Sequence, residues 1–366
     1  MSPNTPYLEL REDIATANAS RMLATAAGLK VSLRPHVKTH KTVHGALIQT
    51  GGKKEGIIVS TLGEARFFAE NGFDDIIYAV PVIENKIPTL LKVHASIKLF
   101  TVIVDCKQAA QVLFDAKDLP EDKPWNVQVM VDCGYGRDGV DPEAESTLDL
   151  VKALNDHKAT RFMGIYTHAG HSYGAKDKCE LIKIGEKERD TVVALASKIK
   201  TYLSVECGSV SVGSTPTCSV PVSNLEGVTE MHAGNYFSYD TMQMAVGSCA
   251  EADIATCVVT SVMSHNHASN FVLVDMGWTA YSLQGVQFPD LFGRILGHPE
   301  LRVTKCKQEC GLVSRVDGKP IDFSKYPIGM QLRVLPYHAC ATAAMHRSMW
   351  IPSQQKKEPI ASGLWE

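Results

Sequence analysis

Eight short apolar runs, separated by amphipathic stretches, occupy the chain up to about residue 240. They span residues 31–37, 56–60, 75–80, 98–105, 127–132, 162–168, 209–213 and 228–233. Eight strand–helix units in about 210 residues suit an α/β fold with a parallel (β/α)8 TIM-type barrel. The same alternation would also build an open doubly wound sheet. No G-x-G-x-x-G follows the first run to favour that alternative. Thr61-Leu-Gly-Glu64 has the form of a capping box and Asn71-Gly72 that of a helix stop. Asp141-Pro142 offers an N-cap followed by proline at the first helical position.

After residue 250 the texture changes, and runs at 256–263, 271–276, 331–335 and 339–344 read as strands joined by loops. The expected organisation is a barrel domain over 1–245 followed by a smaller, mainly β domain over 246–366. The tail from Ser353 to Glu366 is polar and weakly patterned. With 366 residues and 45% of them apolar, the chain can bury a substantial core. A net charge of −3 without a long basic run argues against nucleic acid and anionic lipid as partners. No apolar run approaches the roughly 20 residues that span a bilayer. Met1 to Arg11 lack the apolar stretch of a secretory leader. The ten cysteines lie singly, as reduced core residues would in the cytosol, the expected compartment.

The densest group of chemically able side chains is R-P-H-V-K-T-H-K, Arg34 to Lys41, closing the first run. Carboxyl ends of barrel strands face the active site. A lysine there, partly desolvated and near other cations, is biased toward the neutral amine that condenses with an aldehyde. The plainer reading is a basic cluster ending a strand and beginning a solvated helix. Val212-Gly-Ser-Thr215-Pro-Thr and His232-Ala-Gly234-Asn235-Tyr236 end the last two runs, where barrels often bind phosphate. In isolation both would be turns. Pro336-Tyr-His338-Ala-Cys340 sets an imidazole and a thiol two residues apart. On a strand they share one side and could grip one ion, nitrogen with soft sulfur favouring zinc. A buried cysteine beside a satisfied histidine is the plainer reading.

Together these segments resemble the fold-type III pyridoxal-phosphate enzymes, in the branch of eukaryotic D-serine dehydratases and bacterial D-threonine aldolases. The likeness runs from about Leu33 to at least Thr342. It implies an alanine racemase-like barrel followed by a β domain, with pyridoxal 5'-phosphate carried on Lys38 and Lys41 outside the site. By the same likeness, the segment from Val131 to Val140 brings Arg137 to the cofactor's phenolic oxygen, where a cation stabilises the developing carbanion. The structural alternative for Arg137 is a surface pair with Asp138 or Asp141. Tyr166 and Tyr173 match cofactor contacts, His168 a ring-facing position, and Thr215, Gly234 and Asn235 phosphate contacts. His338 and Cys340 match Zn2+ ligands, because dehydratases of this branch have His-x-Cys and the aldolases His-x-Asp with a harder ion. Tyr337 stands where relatives commonly have asparagine, and Ala343-Ala-Met-His346 follows the pattern only loosely.

The activity implied is that of a D-serine ammonia-lyase working as a homodimer. The Lys38 amine removes the α-proton, the pyridine ring accepts the electrons, and zinc stabilises the departing hydroxyl, giving pyruvate and ammonia. A D-threonine aldolase would instead give glycine and an aldehyde. A dehydratase for a bulkier β-hydroxy D-amino acid would share the whole mechanism. A racemase needs a second base, which the sequence does not identify. A non-catalytic carrier of pyridoxal phosphate would lack a second domain and a metal pair.

Overall fold

The computed structural model of the protein describes residues 3–361. In chain order the strands are β1 (Tyr7–Leu10), β2 (Ser32–Leu33), β3 (Ile57–Val59), β4 (Asp75–Pro81), β5 (Leu99–Val104), β6 (Trp125–Val131), β7 (Thr160–Thr167) and β8 (Ser209–Val212). They continue as β9 (Glu230–Met231), β10 (Thr256–Asn266), β11 (Phe271–Val274), β12 (Leu301–Cys306), β13 (Gly311–Arg315), β14 (Gln331–Val334), β15 (Ser348–Ile351) and β16 (Lys356–Pro359). Two compact units result, one of Ser20–Gly234 with Ala361 and one of the described N-terminal residues to Ala19 with Asn235–Ile360.

In the first unit β2 to β9 form one parallel sheet in the order β2-β9-β8-β7-β6-β5-β4-β3. A parallel bridge between His36, just past β2, and Ile58 of β3 joins its two ends, so the sheet is a barrel. All eight expected strands are present. Strands of such a sheet are buried on both faces and read as continuous apolar runs; β6 is buried from end to end. Ile58, Ile77, Ile103, Met130 and Tyr166 fill the interior as one packed cluster. β2 is shorter than its run, although the Arg34 and His36 N–H groups still donate to the Met231 and Ala233 carbonyls at 3.0 and 2.9 Å, and Val37–Thr39 is a 3-10 turn. Thr61 caps the helix Leu62–Glu70, its hydroxyl accepting from the Glu64 N–H at 3.1 Å while the Glu64 carboxylate accepts from Ser60 N–H at 2.8 Å. Asp141 is not a cap. Its carboxylate closes a local turn onto Glu143 N–H at 2.9 Å, and the helix Glu145–Asp156 starts later.

In the second unit the order is β12-β13-β11-β10-β1-β15-β16, with β14 also on β10. β1 lies antiparallel to β10 and parallel to β15. The N-terminal strand thus belongs with the β unit, a division different from a single boundary after residue 245. The strand expected at 339–344 is instead the helix Ala339–Ala343. The alanines favour a helix, and Asp240 Oδ2 accepts from the Ala339 N–H at 2.8 Å, satisfying its first turn. Within the tail, β16 pairs antiparallel with β15. Residues 1–2 of the N-terminal segment and 362–366 of the tail lie outside the described residues. Among the described residues no helix is long and apolar enough to cross a membrane.

Candidate active site

Lys38 is half-buried in the turn Val37–Thr39. His36 fixes that turn, its main-chain N–H donating to the Ala233 carbonyl at 2.9 Å and its Nδ1 accepting from Lys38 N–H at 3.4 Å. Since Nδ1 accepts, Nε2 carries the proton and donates to Ser60 Oγ at 3.0 Å. Lys41 takes a left-handed conformation, φ 52°. Its ammonium lies 3.6 Å from the buried Glu64 carboxylate and donates to the Lys38 carbonyl. The two lysines of the motif therefore differ: Lys41 is held in a buried ion pair.

Three imidazoles, those of the buried His36 and His232 and of the half-buried His168, share the electrostatic field of Lys38. Burial first, then the charge of Lys38, pushes the His168 pKa down to about 3. Burial likewise holds His36 and His232 well below the usual imidazole range. All three are neutral at pH 7. His168 Nδ1 donates to the Gly213 carbonyl at 2.9 Å, which leaves the lone pair on Nε2. His232 stacks on Tyr166 at 3.9 Å between centroids, 12° from parallel. The ring of Tyr173, in the turn Gly170–Gly174, lies 6.3 Å from that of His168. Arg137 is exposed and forks onto Asp138 at 3.1 and 3.2 Å, the surface pairing foreseen as its alternative. Its charge still bears on Tyr166 and His168, a smaller influence than their burial.

Thr215 opens the helix Thr215–Ser219, which Ser214 caps. The Thr215 hydroxyl is buried with no partner in the protein. Such an orphan is costly unless a ligand engages it. A Cβ on Gly234 would stand 2.6 Å from the His36 carbonyl, so only glycine lets the chain pass so close to the lysine turn. An unpartnered hydroxyl, a glycine-only approach and a lysine among neutral imidazoles fit a phosphorylated aldehyde. Asn235 Nδ2 donates to Asp240 Oδ2 at 2.6 Å and lies 3.8 Å from Cys340 Sγ.

In the second unit His338 is the extended N-cap of the helix Ala339–Ala343 and Cys340 its second residue. The same-side geometry of a strand does not apply to them. They stand instead where extended chain becomes helix, around Asp240, which holds both Ala339 N–H and Asn235. His338 Nδ1 donates to Gln284 Oε1 at 2.8 Å, which places the lone pair on Nε2 as in a metal-ligating histidine. Imidazole and thiolate fit zinc better than magnesium or calcium. Among the described residues there is no group of three or more His, Cys, Asp or Glu side chains that could hold a metal ion.

Of the residues now at the site, His36 and His232 lay inside the quoted motifs without a role. Asp240 and Gln284 carried no local signal, since each reaches its partners through tertiary contact.

Residues 12–236 match the family described as alanine racemase, N-terminal domain, and residues 255–351 match a serine dehydratase domain. The D-serine dehydratase of Dictyostelium discoideum is 36% identical over 363 residues, covering 93% of this chain and 91% of that protein. The D-threo-3-hydroxyaspartate dehydratase of Delftia sp. is 34% identical over 354 residues, covering 93% of this chain and 92% of that one. A cysteine-to-alanine mutant of D-threo-3-hydroxyaspartate dehydratase, solved in the metal-free form, aligns with a TM-score of 0.92 at 32% identity over 99% of this chain and 98% of that one. The chain belongs to the alanine racemase-like, fold-type III family of pyridoxal-phosphate enzymes, among the relatives of the D-serine dehydratases.

Proposed function

We propose that this enzyme is a carbon–nitrogen lyase that converts D-serine to pyruvate and ammonia, with pyridoxal phosphate on Lys38 and Zn2+ on His338 and Cys340. The observation that carries the proposal is the setting of Lys38, in a turn fixed by His36 and in the field of three neutral imidazoles.

When bound, the cofactor supplies a sink for the α-carbon's electrons, and the metal a Lewis acid for the departing hydroxyl. Lys38 Nζ takes the α-proton of the D-amino acid. Burial keeps His36, His168 and His232 uncharged, so none of them acts as a competing acid beside that amine. Tyr166 and Tyr173 would flank the cofactor's ring, and Arg137 would hold its phenolic oxygen. Thr215 Oγ1 and the main chain at Gly234 and Asn235 would hold its phosphate. Gln284 holds His338 in the tautomer that offers Nε2 to the ion. The hydroxyl leaves with a proton as water, and the released enamine hydrolyses to pyruvate and ammonia. In this scheme the barrel carries the cofactor and the β unit the metal ligands. The enzyme works as a homodimer in the cytosol, where buried thiols such as Cys133, Cys218 and Cys257 stay reduced.

The test is product analysis of the purified holoenzyme on D-serine, L-serine and D-threonine, before and after chelation. Pyruvate and ammonia should appear from D-serine, fall on chelation and return with zinc. Equal turnover of both serine enantiomers, full activity after chelation, or glycine and acetaldehyde from D-threonine as the dominant reaction would reject the proposal.

A further inference from the structure

Glu188 lies in the middle of the helix Lys178–Leu203 with 2% of its surface exposed. The mechanism above gives it no role. Three donors converge on its carboxylate. Ala169 N–H at 3.2 Å and Gly213 N–H at 2.9 Å reach Oε1, and the Thr217 hydroxyl at 3.0 Å reaches Oε2. Ala169 begins the turn after β7, which carries Tyr173. Gly213 and Thr217 bracket Thr215 in the turn after β8.

The network continues from Thr217 Oγ1 to Ser214 Oγ at 3.0 Å and from there to Ser172 Oγ at 2.7 Å. A buried line of hydroxyls thus links the two turns a second time. The turn after β8 has no slack on this side, since a Cβ on Gly213 would stand 2.8 Å from the His232 main chain. Burial pushes the Glu188 carboxyl up to about 7, against the opposing pull of its hydrogen bonds. An acid kept at that cost in an apolar helix face is explained if the turns it joins must be held still.

We propose that Glu188 is the positioning residue of the phosphate cradle: it ties the turns after β7 and β8 together from behind, so that Thr215 Oγ1 is presented before the cofactor arrives. This rests on Thr215 as a phosphate contact. Glu188 itself touches no phosphate.

The test uses the full chain, produced as holoenzyme, stripped of cofactor and titrated with pyridoxal phosphate and with pyridoxal, which lacks the phosphate. Wild type should prefer the phosphorylated form. Glu188→Ala should lose about tenfold in affinity for pyridoxal phosphate, the scale of lost buried hydrogen bonds, with little change for pyridoxal. Glu188→Gln keeps an acceptor for the two amides and gains a donor for Thr217, and should stay within about threefold of wild type. If Glu188→Ala does not fold, Thr217→Val decides by the same ratio. Unchanged preference for the phosphorylated form in the alanine and valine variants would overturn the role of Glu188 alone. A wild type that binds both compounds equally would overturn the phosphate site itself.

Discussion

Two lysines three positions apart carry the same charge and meet different fates. Lys41 donates to the Lys38 carbonyl and pairs with Glu64, so its role is to brace the turn. Lys38→Ala should abolish the visible absorbance of the holoenzyme and lower kcat by about a thousandfold or more, as expected when the proton-transferring group is removed. Absorption spectra and initial rates check this. At the candidate metal, Gln284 fixes the His338 tautomer through one 2.8 Å bond. Gln284→Ala should weaken zinc affinity by about 10- to 100-fold, read by competition with a chromophoric chelator. An unchanged affinity would show that the carboxamide does not act on the ligand. At this scale the sequence was legible where a motif is local. The run from Arg34 to Lys41 announced its lysine, but not that its neighbour would be neutralised by a glutamate 23 positions later in the chain. Arg137 shows the converse. The motif singled it out, and the chain itself pairs it with the adjacent aspartate.

At the scale of elements, the barrel strands were readable because strands covered on both faces become continuous apolar runs. The β unit was harder. β1 has four residues and finds its partners some 250 positions away in β10, and no local pattern encodes that pairing. The helix Ala339–Ala343 was misread as a strand because small apolar residues suit either state, and the deciding contact is the Asp240 carboxylate on Ala339 N–H. One element-level requirement can be tested sharply. Gly164 on β7 has φ 141°, and a Cβ there would come within 1.9 Å of the Ser209 carbonyl on β8. Gly164→Ala should therefore destabilise the barrel by about 3 kcal/mol or more. Denaturant titration should show a lower midpoint, and a change within 0.5 kcal/mol, about that of an ordinary surface substitution, would contradict the close approach.

For the whole molecule, buried imidazoles link stability to pH. His40 is fully buried, with Nε2 2.8 Å from Gln49 Oε1 and Nδ1 accepting from Thr42 N–H at 3.0 Å. Burial pushes its pKa down to about 4 from 6.5. Between those values the unfolded chain binds the extra proton, so this group's contribution to stability rises with pH through the window and is lost as pH falls. Its full extent is on the order of 3 kcal/mol. Glu188, raised to about 7, works in the opposite sense over an overlapping range. The comparison must therefore be wild type against His40→Gln, whose unfolding free energy should rise less steeply from pH 4 to 6.5. Parallel curves would mean that His40 carries its proton in the folded state.

The scheme for the entire enzyme depends on which amine carries the cofactor. The direct measurement is borohydride reduction of the holoenzyme followed by peptide mapping of the pyridoxyl label. The label should be found on Lys38, with Lys41 unmodified. A label on any other lysine, or reduction that leaves the protein unlabelled, would contradict the account.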